Sequence, residues 1–186
     1  MIGELPETLT VGGKAYPIRS DFRAALIIFQ ALDDPELDGR EKAAVMAESL
    51  YERPEEIPAE LFPEALERAS WFLDGGDMPK TELHARTLDW EQDEGMIFAA
   101  VNKTAGFEVR SVKYMHWWTF LGYFSESGDT LLSTVMHLRQ KLARGKKLDK
   151  WEQEFIAGHR SLVMIKRKKT EEEKAEEDFV NSLFGQ

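Results

Sequence analysis

A mainly α fold is predicted: one domain, a helical bundle of about seven helices with an N-terminal β-hairpin. Three observations predict it. A Gly-Gly pair between two alternating runs is a hairpin signal. A series of segments with helical periodicity follows, each closed by Pro or Gly. At 186 residues and 42% hydrophobic content, the chain can bury one sizeable core and is short for two.

Residues 1–19 form the predicted hairpin. Leu9, Val11, Tyr16 and Ile18 alternate with other residues around Gly12-Gly13, so one face can pack inward. Pro17 cannot donate to a ladder and suits an edge. A lone hairpin is marginal and must lean on the residues that follow.

Residues 20–168 form the predicted helical domain. Ser20 or Asp21 caps a first helix, on which Phe22, Leu26 and Phe29 share a face. Asp38 with Glu41 three residues on opens a second, and Pro54 ends it. A third runs through PAELFPEALERASWFLD and stops at Gly75-Gly76. Residues 75–86 are polar and read as a surface loop. A fourth, TLDWEQDEGMIFAAVNKTAG, crowds acids into its first turns, where they complement the helix dipole. Ser111 is expected to cap a fifth, Asp129 to open a sixth that ends at Gly145, and Asp149 to open a seventh reaching the basic cluster at 166–169.

Residues 169–186 read as a charged tether with a short apolar end. Phe179 with Leu183 and Val180 with Phe184 are i, i+4 pairs, so DFVNSLF can present an apolar helical face. These four are the candidate partner-binding residues, docking on this domain or on another molecule.

The net charge of −10 argues against a sequence-independent nucleic-acid binder, which needs a basic face to displace counterions. The basic residues 166–169 adjoin the acidic run EEEKAEE and read as a solvated helix pairing locally. Absence of cysteine removes disulfides, thiolate zinc sites and cysteine nucleophiles, and fits a reducing cytoplasm. No secretory signal is expected from MIGELPETLT, and no apolar run is long enough to span a membrane.

The aromatic stretch YMHWWTFLGYF, residues 114–124, could be a stacking platform, a protein-binding patch or core. At about 100° per residue, Tyr114, Trp117, Trp118, Leu121 and Phe124 fall on one arc, with Phe120 at its edge. His116, Thr119 and Tyr123 fall opposite. Core is the favoured reading, because aromatics bring the most burial per residue and nothing basic accompanies them to guide a nucleic-acid backbone. His116 is expected on the wetter side, bonded to a carboxylate.

The four histidines, His84, His116, His137 and His159, make no metal-binding spacing. Asp89 and Asp93 sit one turn apart and could serve as an acid–base pair or hold a hard cation. The favoured reading is a solvated helix start, or a face bridged to a cation such as Arg23. Arg23 within SDFR is either a neighbour of the cap or half of a partly buried ion pair. No nucleotide or hydrolase motif is present. No enzyme, cofactor or metal is expected.

DWEQDEGMI at 89–97, GFEV at 106–109, MHWWTF at 115–120 and DFR at 21–23 together resemble the bacteriophage gene-product-fifteen family of long-tailed phages and prophages. The family pattern is Asp-aromatic-x-x-Asp with Ile four later, then Gly-hydrophobic-Asp-Leu, then His-Trp-Trp-x-Phe. It maps onto Asp21, Phe22, Arg23, Asp89, Asp93, Ile97, His116, Trp117, Trp118 and Phe120. The likeness covers about residues 5 to 165. Glu108-Val109 departs from the commoner Asp-Leu, and Ala99-Ala100-Val101 is less aromatic than usual. The resemblance implies a gene between the tail-tube and tape-measure genes, where tail assembly chaperones lie. It implies a non-enzymatic protein that binds the tape measure protein or a partner chaperone, self-associates, works in the host bacterial cytoplasm and leaves the finished virion. A structural tail or head–tail component retained in the virion is the alternative.

Overall fold

The computed structural model describes residues 3–77, 86–166 and 170–173. The hairpin is β1 (Thr8–Val11) and β2 (Lys14–Pro17), antiparallel, with Leu9 opposite Tyr16 and Val11 opposite Lys14. Gly12 and Gly13 take φ of 54° and 79°, the left-handed pair that a tight hairpin turn requires. Leu9, Val11, Tyr16 and Ile18 are all buried, as their alternation predicts. The support a lone hairpin needs comes from the helices. The Gly12 N–H donates to both carboxylate oxygens of Glu64 at 3.1 Å.

Eight α-helices follow among the described residues, seven of them nine residues or longer: α1 (Phe22–Leu32), α2 (Gly39–Leu50), α3 (Phe62–Leu73), α4 (Glu94–Ala105), α5 (Trp117–Ser125), α6 (Leu131–Ala143), α7 (Lys150–Gly158) and the four-residue α8 (Arg160–Val163). The fold is therefore the helical bundle with an N-terminal hairpin that the periodicity predicts.

The end signals explain the helix boundaries. Asp21 caps α1, its carboxylate accepting from the Arg23 N–H. Asp38 and Glu41 form a complete capping box on α2, and Asp149 and Glu152 form another on α7. The far end of α2 is covered by Arg19, whose guanidinium donates to the carbonyls of Glu48 at 2.7 Å, Tyr51 at 2.5 Å and Glu52 at 3.2 Å. At the close of α3, Gly76 turns back so that its N–H reaches the Trp71 carbonyl at 2.9 Å, six residues spanning the last turn.

Several boundaries differ from the sequence reading: α2 stops at Leu50, short of Pro54, and α3 begins at Phe62, after a 3-10 turn at Ala59–Leu61. The fourth helix begins at Glu94, because residues 90–93 form a turn organised by Asp89. Ser111 lies in a 3-10 turn (Val109–Ser111), and His116 caps α5. Thr130, not Asp129, caps α6, through a reciprocal pair with Ser133. The seventh helix breaks at Gly158–His159, where the His159 N–H turns back to Phe155 and Ile156, leaving α8 separate.

α1 packs chiefly on α2 and reaches α5; α4 lies against α5 and α6; α3 holds β1; α8 joins α6 to α7. Rings fill the centre. Phe22 stacks on Phe120 with centroids 4.8 Å apart, Trp117 stacks on Phe120 at 5.6 Å, and Trp90 sits against Phe29 and Phe124. Among the described residues, no helix is long and apolar enough to cross a membrane. The proposed surface loop lies largely, and His84 wholly, outside the described residues, as do Phe179, Val180, Leu183 and Phe184 and most of the tether.

Candidate functional site

Two of the sequence motifs meet directly. Asp21 and His116 form an isolated antiparallel bridge: the Phe22 N–H donates to the Met115 carbonyl at 3.0 Å, and the Trp117 N–H donates to the Ser20 carbonyl at 2.7 Å. One Asp21 oxygen caps α1 and the other accepts from the Met115 N–H at 3.0 Å. Arg23 pairs with Asp21 at 3.1 Å, the sharper of its two readings. Its other nitrogen donates to the Arg110 and Val112 carbonyls at 3.0 and 2.9 Å. DFR therefore fastens the start of α1 to the segment entering α5.

His116 corrects the helical wheel. The helix starts one residue after it, so His116 is a cap and is 3% exposed. Its Nδ1 accepts from the Trp118 N–H at 3.0 Å, which leaves Nε2–H to donate to the Pro6 carbonyl, also at 3.0 Å. Both of these bonds run to backbone rather than to a carboxylate. Tyr114, ahead of the helix, is 53% exposed instead of lying on the buried arc, and its hydroxyl pairs with Ser20 at 2.8 Å.

The two indoles close α3. Trp117 Nε1–H donates to the Leu73 carbonyl at 2.9 Å, and Trp118 Nε1–H donates to the Phe72 carbonyl at 2.8 Å. The last carbonyls of a helix have no intrahelical donor, and an indole has one N–H and an apolar body. HWW thus caps one helix with its His and another with its two Trp side chains. Trp117 and Phe120 are fully buried, whereas Trp118 is half-buried at the edge, lying over Gly76. The aromatic stretch is core, as its favoured reading holds, and also a clamp.

Asp89 and Asp93 are not solvated and do not meet Arg23. Both are buried, at 2% and 1% exposure. Asp93 forms a two-pronged ion pair with Arg139 of α6, one prong at 2.9 Å, and also accepts from the Asp89 N–H at 3.0 Å. Arg139 donates onward to the carbonyls of Val163 at 2.8 Å, Leu162 at 2.6 Å and Thr87 at 3.1 Å. Asp89 accepts from the N–H groups of Glu91 and Gln92 and pairs with Arg86 at 2.7 Å. Arg139 escaped the sequence reading because nothing local to α6 marks it.

Glu108 and Val109 both hold the turn between α4 and α5. Val109 is fully buried. Glu108 binds the Arg110 guanidinium and N–H and the Asn102 amide, and the Arg110 hydrogen bond chiefly holds its carboxyl down at about 2. Ile97 is buried on the inner face of α4.

These bonds use the acid, base and ring nitrogens of the markers to hold the fold. Among the described residues, no group of three or more His, Asp or Glu is placed to hold a metal ion. A cavity of about 250 Å³ opens instead between α1 and α4. Phe22, Leu26, Ile27, Trp90, Ile97 and Phe98 line it, with Arg23, Arg110 and Glu94 at its rim. It is smaller than the ~300–1,000 Å³ of typical small-molecule sites and suits one or two apolar side chains of a partner helix.

No curated protein and no solved structure matches the chain. The model of one family, described as bacteriophage Gp15 protein, matches residues 1–165, a span that contains every marker just placed in the fold. The chain belongs to the bacteriophage Gp15 protein family and is a phage protein.

Proposed function

We propose that this phage protein is a non-enzymatic tail assembly protein, a chaperone that binds the tape measure protein, alone or with a partner tail chaperone, during tail morphogenesis. Family membership over residues 1–165 carries the reading, through the gene position that the resemblance implies. Two features support it. The polar marker residues are engaged in internal bonds, not arranged around a substrate. The α1–α4 groove offers an apolar floor with Ile27 half-exposed, which suits the apolar face of a long helical client. The protein acts in the host bacterial cytoplasm and is absent from the mature virion.

Co-expression with tape-measure fragments followed by pull-down tests the proposal. Capture of a fragment is expected, with Ile27→Asp lowering it roughly tenfold at unchanged melting temperature, since a half-exposed side chain adds little to stability. A tape measure that stays soluble without this chain bound would refute it. Mass spectrometry of purified particles separates the retained structural component, which would be present in them.

A further inference from the structure

Charge is divided along this fold. Residues 137–166 hold eight Lys and Arg against three Asp and Glu, in a chain whose net charge is −10. Arg139 is spent in the buried pair and Lys141 on Glu152. Arg144, Lys146, Lys147 and Arg160 are exposed, and among the described residues none of them forms an ion pair. They flank α7, where Glu152 is the buried side chain and Trp151 stands 57% exposed. Trp151 lies tilted against Phe155 at 5.3 Å and Phe155 stacks on His159 at 4.5 Å, with Met164 also exposed beyond them. This is an apolar ridge inside a basic pole.

The opposite pole is acidic. Residues 48–68, from the end of α2 through two 3-10 turns into α3, hold seven Glu and two Arg. Glu48, Glu52, Glu55, Glu60 and Glu67 are exposed there, and none of them forms an ion pair among the described residues. The packing order separates the poles: α2 and α3 reach α4 through α1 and α5, while α7 reaches α4 through α8 and α6. Charges are screened beyond ~8 Å at physiological salt, and a domain of this length has a radius of gyration of ~16 Å. Each pole therefore responds to the surface facing it more than to the net charge.

We infer that the basic α6–α7 pole binds the acidic α2–α3 pole of a second copy of this chain, with Trp151 at the centre of the contact. The two surfaces differ, so the contact is head-to-tail and leaves a free pole at each end. Assembly then continues as a ring or stack instead of stopping at a dimer. The inference does not depend on the client, because the α1–α4 groove takes no part. A second copy fits better than nucleic acid, since Asp149 and Glu154 stand exposed within the basic pole itself, Trp151 offers an anchor of the kind protein interfaces use, and the same chain carries the complementary acidic surface.

Sedimentation velocity of the full chain tests it. Oligomers are expected at about 0.1 M salt and dissociation at about 1 M. Lys146→Glu with Lys147→Glu, and separately Glu55→Lys with Glu60→Lys, should each weaken association roughly tenfold or more. An equimolar mixture of the two variants should assemble again, because each reversed pole then meets its complement. Trp151→Ser should weaken assembly without lowering the melting temperature. A monomer under all conditions, or reversals without effect, would overturn the inference. So would a monomeric chain that shifts DNA in a gel through Lys146 and Lys147.

Discussion

Arg139→Met isolates the buried ion pair. Methionine keeps an unbranched apolar stem and drops the guanidinium, so electrostatics dominate over the loss of volume. In the native fold the Asp93 side chain is 0% exposed and that of Arg139 is 3%. Without Arg139, Asp93 keeps the Asp89 N–H as its remaining donor, and the carbonyls of Thr87, Leu162 and Val163 lose theirs. Removing one member of a buried pair costs about 3–5 kcal/mol, because the other charge stays desolvated. The carbonyls add to this, while water entering beside α8 recovers part. A loss of about 4 kcal/mol results, against a total stability of ~5–15 kcal/mol. For a domain of this size that is a melting point lower by ~8–16 °C. Urea titrations followed by far-ultraviolet dichroism and tryptophan emission would measure it. The double variant Arg139→Met/Asp93→Leu should recover roughly 2 kcal/mol relative to the sum of the single changes. A loss below about 1 kcal/mol would show that the pair is solvated and that the reasoning fails.

The two tryptophans should separate: Trp117→Ala costs about 3–5 kcal/mol and Trp118→Ala distinctly less, because only Trp117 is fully enclosed. Equal losses in denaturant titrations would contradict that placement. Gly76→Ala should lower the melting temperature, since its φ is 92° and an added Cβ would stand 2.9 Å from the Trp118 ring; a melting point at or above that of the parent would refute the clash. The Lys141 hydrogen bond, helped by the Asp149 N–H, holds the Glu152 carboxyl below its usual range. A depressed folded value contributes stability that is fully present above the unfolded value near 4.5 and is lost as pH falls through the folded one. Amide exchange in α7 should therefore accelerate in acid before that in α1, and a uniform response would argue against it.

Signals within a few residues of one another were legible in the sequence. The hairpin turn, the Asp38–Glu41 and Asp149–Glu152 boxes and the Gly75-Gly76 stop each follow from local backbone bonding. What was hidden depends on distant partners. Asp93 looked solvated because its cation stands 46 positions away. His116 looked like a helix residue because a wheel assigns a face to every position and does not locate the first turn. The wheel also could not divide Trp117 from Trp118, since their burial is decided by where α3 ends. The basic pole was visible as composition only at 166–169; its extent emerged once α6, α7 and α8 were placed together.

The bridge between Asp21 and His116 also bears on how the chain is made. Pro6 meets its partner 110 residues later, and the start of α1 meets Met115 after 94. At ~5–20 residues per second, a ribosome takes roughly 5–20 s to supply that second half after α1 emerges. During that interval α2 and α3 can already pack on α1 and the hairpin, but the bonds from residues 114–120 to Pro6 and to the start of α1 are missing. The order of translation therefore makes the Asp21–His116 bridge a late closure, laid on an N-terminal half whose helices can already have met.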